Sequence, residues 1–218
     1  MYESETEQPA AESPVEMPVE IAEAEVIDES NLQPDDDQKI RDMLCLCFPD
    51  WAETFRQRRL WHRTPPLYTV IIRAGEEIIG HTAVVVRMMT TTWNHRYRVA
   101  SIQGVCVVPE KRRAGLSHRL LQEAMREATR RDFPFAILYC KEDLVPFYTS
   151  LGWKLADDSV IMWDCRDLPI SMRSNCPMFY ELSDIPFPEG PIDVHSEITV
   201  QANPRITPLI DASAKQIG

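Results

Sequence analysis

The sequence predicts an α/β (α+β) domain in which helices flank a single mixed, mostly antiparallel central sheet. Three observations predict it. Two stretches of helical apolar spacing precede a meander of β-branched runs; an amphipathic helix follows the last of these; and a short apolar run, Phe135 to Cys140, reads as a central strand. The length of 218 residues suits one domain of ordinary size with extensions.

Residues 1–37 hold 13 acidic residues, four prolines and no Lys or Arg. They account for the net charge of -11, because the remaining 21 acids stand against 23 bases, a balance of about +2. The acidity therefore belongs to this segment and the body is close to neutral. A stretch of that composition buries too little apolar surface to offset its ordering entropy. It is expected to be a disordered acidic tail, dispensable for the fold, with the domain proper at 38–183.

Asp35, Asp36 and Asp37 offer carboxylates to the positive end of a helix carrying Ile40, Met43, Leu44, Cys47 and Phe48 on one face. Pro49 ends it, and Asp50 with Glu53 starts a second helix through about Leu60. Leu67 to Arg73 and Ile78 to Met89 form a hairpin about Ala74-Gly75-Glu76-Glu77, and a third strand runs from Tyr97 to Val108. Leu116, Leu120, Leu121, Ala124, Met125 and Ala128 mark the amphipathic helix. After Phe135–Cys140, a brief helix ends near Leu151, with strands near 153–156, 159–164 and 178–182. Residues 184–218 contain five prolines and are expected to form an irregular extension, partly packed on the domain.

No run approaches the ~18–20 apolar residues needed to cross a bilayer, and residues 1–5 lack the basic start of a secretory signal. Cysteines 45, 47, 106, 140, 165 and 176 form no Cys-x-x-Cys, and the five histidines show no metal-ligand spacing. A cytoplasmic protein with free thiols and no metal is the expectation.

The chemistry concentrates in two stretches. Where the strand ends at Pro109, a basic turn leads into a helix near Gly115. Unpaired N–H groups at the helix start suit an anion, Gly115 lets backbone approach a phosphate, Arg112 and Arg113 add charge, and Ser117 adds a donor. Further on, Phe147, Leu151 and Gly152 read as a short helix closed by a left-handed glycine, and Tyr148 beside them is optional for packing.

Together these stretches resemble the GNAT superfamily of acetyl-CoA-dependent N-acyltransferases. The superfamily's phosphate loop, Arg/Gln-x-x-Gly-x-Gly/Ala, is matched by Arg112-Arg113-Ala114-Gly115-Leu116-Ser117, with serine at the last position. Phe147-Tyr148-x-x-Leu151-Gly152-Trp153 is similar to its second signature, and the likeness covers about residues 38–165. The resemblance implies a GNAT-like fold, with acetyl-CoA as acyl donor and cosubstrate. The acceptor would be a primary amine on a small molecule or peptide, with no membrane partner; a homodimer is left open. It also implies that Val105, Cys106 and Val107 pair with pantetheine, that 112–117 holds the pyrophosphate, and that Tyr148 protonates the leaving thiolate.

Many such enzymes carry a carboxylate on the strand before the loop, where this chain has Ser101 and Gln103. Candidates for a base are His81, which also reads as a hydrogen-bonded core or surface histidine, and Asp193 or Glu197, or a water chain. The missing carboxylate keeps open a silent acyl-CoA-binding module, and a longer acyl chain is a further alternative. Arg56, Arg58, Arg59 and Arg63 with Trp61 and His62 form a basic-aromatic cluster that reads first as a solvated helix face, then as acceptor contact. Nucleic acid comes last, because the rest of the body lacks a basic footprint.

Overall fold

The computed structural model describes residues 21–61, 64–156, 160–162 and 175–196. Its elements are β1 (Glu25–Asp28), α1 (Pro34–Cys47), α2 (Ala52–Gln57), β2 (Tyr68–Ala74), β3 (Glu77–Thr91), β4 (Arg96–Val107), α3 (Leu116–Arg130), β5 (Phe135–Lys141), α4 (Val145–Ser150), β6 (Lys154–Leu155), β7 (Val160–Met162), β8 (Asn175–Glu181) and β9 (Ile192–Ser196). Single 3-10 turns precede α1, α2, α3 and α4.

The strands form one mixed sheet in the order β1-β2-β3-β4-β5-β8-β6, with β9 added to the free edge of β3 beyond β2, and β7 on β9. Pairing is antiparallel except for β4 with β5 and β7 with β9. Alternation along the strands sorts the core into two faces. Val84, Val86, Ala100, Ile102, Ala136 and Leu138 point toward α3 and meet Leu120, Leu121, Ala124 and Ala128. Ile71, Ile78 and Cys106 point the other way, toward Ile40, Met43 and Leu44 of α1 and Phe55 of α2.

Chain length forces this sheet to curl. Between β6 and β7 lie six strand spacings, about 29 Å if the sheet were flat. Yet only five residue steps join Leu155 to Val160, which reach at most about 18 Å. The two edges therefore bend toward each other over the face opposite α3. Consistent with this, Val160 and Phe179 pack on a cluster of Met89, Val99, Phe135, Ile137 and Val194, and Phe179 stacks on Phe187 at 3.8 Å.

Three expectations need correction. The sequence predicts a disordered tail through residue 37, but residues 21–37 are folded: Glu25–Asp28 pairs with Tyr68–Ile71, and Pro34 starts α1. The carboxylates are held by distant arginines. Glu29 and Asp37 both bind the buried Arg59, the latter at 2.6 Å, while Thr69 Oγ1 accepts a third bond from it at 3.0 Å. Asp36 takes Arg73 through two bonds of 2.8 and 3.0 Å, and Asp28 takes Arg131. The Arg73 guanidinium holds the Asp36 carboxyl below its usual range. Residues 1–20, the rest of the predicted tail, lie outside the described residues.

The second correction concerns the basic-aromatic cluster, which does not form one face. Arg59 points into the fold, Trp61 packs edge-on against Phe48 and Phe55, and Arg56 pairs with Glu53. The helix expected through Leu60 ends at Gln57, while His62 and Arg63 lie outside the described residues. Third, a strand, β9, stands where the extension was expected to be irregular; residues 197–218, with Glu197, lie outside the described residues.

A chain beginning at Asp35 should therefore be destabilised. It loses β1 and leaves Arg59 buried with one carboxylate, and breaking a buried pair costs about 3–5 kcal/mol. A thermal melt should show Tm lower by about 10 °C; an unchanged Tm would make residues 21–34 dispensable after all.

Candidate functional site

The site begins with a defect in the β3–β4 ladder. His81 pairs with Cys106 and Ala83 with Gln103, so β4 carries one residue too many opposite Thr82. Gly104, at φ +63°, absorbs the bulge in a conformation that a side chain disfavours. Two side chains of β3 hold the displaced carbonyls. Thr82 Oγ1 donates to the Gln103 carbonyl at 3.1 Å, and His81 Nδ1 lies 3.1 Å from the Gly104 carbonyl. A carbonyl only accepts, so Nδ1 carries the proton and Nε2 is bare.

Beyond the bulge, β4 leaves β5. Their parallel ladder comprises Ala100 with Ala136 and Ser101 with Ile137, and then it ends. The open edge of β4 from Ile102 to Val107 therefore faces a split with β5 on its far side. At its end the Val107 carbonyl turns away from β3 and accepts Arg112 Nε at 3.1 Å.

The anion loop follows directly. Pro109–Lys111 makes a 3-10 turn, Arg113 takes φ +64° and Gly115 φ +75°, and α3 starts at Leu116. No side chain caps α3, no acid lies in its first turn, and its first internal bond runs from Arg119 N to the Gly115 carbonyl at 3.2 Å. The N–H groups of Leu116, Ser117 and His118 are thus left without helical partners at the positive end of the dipole. A Cβ placed on Gly115 would meet nothing within 4 Å, so the space above this backbone is open. Lys111, Arg112, Arg113, Ala114 and Gly115 are all exposed.

Tyr148 comes from the other side of the split, on α4 just past the end of β5. Parallel strands β4 and β5 thus deliver the loop and the tyrosine from their carboxyl ends, where open α/β sheets place ligands. Tyr148 is buried, its ring edge-on to Phe147 at 5.0 Å and Trp153 at 6.1 Å. Burial pushes its phenol pKa above the ordinary value, so the hydroxyl keeps its proton at neutral pH. Behind it, the turn into Trp153 requires Gly152, at φ +88°, whose Cβ would stand 3.2 Å from the Tyr180 ring.

The remaining candidates are dispersed. His81 is wholly buried beneath α1, and burial drives its pKa down to about 3, so it is a neutral core histidine that holds the bulge. Ser101 and Gln103 are buried on β4, and Asp193 is half-buried on β9. Sequence reasoning missed Gly104 and Thr82; a lone glycine inside a strand pattern was the available signal.

His81 also makes a pH prediction. Its folded pKa lies below the unfolded value of about 6.5, so the unfolded chain binds the extra proton and stability falls as pH drops through 6.5 toward 3. The loss attributable to His81 between pH 7 and 5 is about 2 kcal/mol. Denaturant melts of His81→Gln should lack this slope; the same slope in both proteins would contradict the assignment.

Comparison with known proteins bears on the same elements. A family model described as an acetyltransferase (GNAT) domain matches residues 30–156. No curated protein matches the chain by sequence. Among solved structures, Escherichia coli ElaA aligns with a TM-score of 0.53 at 15% identity, over 73% of this chain and 99% of its own. The E. coli GNAT family N-acetyltransferase YhbS, in complex with CoA, aligns with a TM-score of 0.57 at 14% identity, over 82% and 92%. An aminoglycoside 6'-N-acetyltransferase complexed with coenzyme A aligns with a TM-score of 0.51 at 15% identity, over 76% and 99%. At these identities the likeness is one of fold.

Proposed function

The chain belongs to the GNAT acetyltransferase family, and from that premise we propose that it is a cytoplasmic enzyme transferring an acetyl group from acetyl-CoA to a primary amine of a small molecule or peptide. The observation that carries this reading is the split between β4 and β5 with an uncapped α3 at its end. The two CoA complexes among its structural neighbours support CoA as the donor here.

In this reading the pantetheine amides pair with the free edge at Val105, Cys106 and Val107. The pyrophosphate rests on the backbone of Ala114, Gly115, Leu116 and Ser117, with Arg112 and Arg113 beside it. The thioester carbonyl lies near the bulge, where a backbone N–H of residues 105–107 stabilises the developing oxyanion. The amine nitrogen attacks the carbonyl carbon, the C–S bond breaks, and Tyr148 gives its proton to the departing thiolate. The raised phenol pKa fits a group that must be protonated before this step.

The amine must lose a proton, and β4 carries no carboxylate for that task, only Ser101 and Gln103 where many such enzymes place one. An amine of low pKa or a water relay meets the need without a dedicated carboxylate. The same absence favours a second reading, a silent acyl-CoA-binding module. Thiol release from acetyl-CoA with a panel of amines separates them: turnover supports the enzyme, and CoA binding without turnover on any amine supports the module.

Tyr148→Phe keeps the ring and removes the acidic proton. With a verified acceptor, kcat should fall about 10²–10⁴-fold, while CoA affinity stays within a few-fold and Tm is unchanged. Near-normal kcat would remove Tyr148 from the chemistry. In calorimetry, Gly115→Val should abolish CoA binding and Arg112→Ala weaken it by about 1–3 kcal/mol; unchanged affinity in both would remove the loop from the site.

A further inference from the structure

Beside the anion loop lies a thiol pair that acyl transfer does not use. Cys47 ends α1, and Cys106 projects from β4 into the cluster under that helix. Cys47 packs against the same cluster of Ile71, Ile78 and Cys106, and the two thiols perturb each other's titration. As a thiol, Cys47 Sγ also donates to the Val107 carbonyl at 3.5 Å, the same oxygen that accepts Arg112 Nε at 3.1 Å. Through that shared oxygen Arg112 lies beside Cys47, and its charge acts on the thiol. Thus two sulfurs, one guanidinium and one strand carbonyl meet where β4 runs into the loop.

We propose that Cys47 and Cys106 form a peroxide-sensitive dithiol, oxidised to a disulfide that ties the end of α1 to β4 beside Arg112. Exposure divides their roles, since Cys47 is partly exposed and Cys106 is only 6% exposed. A small hydroperoxide reaches the first, and the second resolves. Electrostatics agrees with this division. The Cys106 S–H and the Arg112 guanidinium lower the Cys47 pKa to about 7, while the Cys106 thiol is pushed up by Cys47 and by burial. Cys47 is then substantially thiolate at neutral pH, and the thiolate is the nucleophile.

The steps balance with hydrogen peroxide as oxidant. The Cys47 thiolate attacks one peroxide oxygen, so an S–O bond forms, the O–O bond breaks, and hydroxide leaves to take up a proton as water. Cys106 sulfur then attacks Cys47 sulfur. The S–S bond forms, the S–O bond breaks, and the second hydroxide leaves with the Cys106 proton as water. Two thiols and one peroxide give one disulfide and two waters. The link removes the thiolate charge from Arg112, so the pair's oxidation state reaches the loop through that residue. The disulfide itself forms whether or not the chain turns over acetyl-CoA.

The test is peroxide treatment of the full chain at neutral pH, without CoA, followed by intact mass and non-reducing peptide mapping. The wild type should lose the mass of two hydrogen atoms and yield a peptide pair linked through Cys47 and Cys106. Cys106→Ser should instead hold a sulfenic acid on Cys47 that a dimedone probe traps. Arg112→Ala should slow the wild-type reaction about five- to ten-fold, because the thiolate loses its cation. Should Cys106→Ser fold poorly, the wild-type map still decides. A map with no 47–106 link, or a mass loss that persists in Cys47→Ser, overturns the proposal. An unchanged rate in Arg112→Ala overturns the link to the loop.

Discussion

When two parallel strands part, the inner edge of each is left with backbone donors and acceptors that need partners. In this chain β4 and β5 share two residue pairs and then separate. The parting rests on the bulge at Gly104, since an extra residue bends and twists the strand that carries it. What stabilises so irregular a strand is the pair of side chains from β3, one on each face, that bind the carbonyls of Gln103 and Gly104. Those bonds replace the regular ladder and fix the direction of the free edge. The loop, α3 and α4 then follow from the carboxyl ends of the two strands, so a local defect in pairing sets the positions of Gly115 and Tyr148 alike.

The second constraint is ionic. Arg59 is nearly inaccessible to solvent, and a buried guanidinium is tolerable only with its donors met. Its partners Glu29 and Asp37 come from the first of the described residues, as do Asp36 for Arg73 and Asp28 for Arg131. These pairs fasten β1 and the start of α1 to β2 and to the end of α3. The acidic excess before residue 38 is thus partly a counter-charge to arginines elsewhere. The guanidinium groups of Arg73 and Arg131 are more open to water than that of Arg59, and their pairs contribute less than its contacts.

This explains what the sequence shows and what it hides. The anion loop is legible because its parts are contiguous: Pro109, Arg112, Gly115 and the apolar period of α3 lie within a few turns of chain. Helix and strand positions are legible for the same reason, down to the hairpin about Gly75. Glu29 and Asp37 are not, because their partner Arg59 is 30 and 22 residues away and nothing local distinguishes a paired carboxylate from a solvated one. Arg56, Arg58, Arg59 and Arg63 read as one cluster for a similar reason; sequence adjacency cannot say which of four arginines turns inward. Strand β9 escaped notice because Asp193 and His195 interrupt a short run whose pairing depends on the curl of the whole sheet. The bulge could have been suspected from Gly104 alone, but not the roles of Thr82 and His81, which depend on register.

The central claim is that the free edge of β4 and the start of α3 receive one extended ligand, CoA. Amide hydrogen exchange of the full chain, with and without saturating CoA, tests it most directly because the claim concerns backbone N–H groups. The account predicts slowed exchange at residues 105–107 and 115–118 together, with the amides of β9 unchanged. Saturable CoA binding that leaves both of those segments exchanging at their free rates would contradict it.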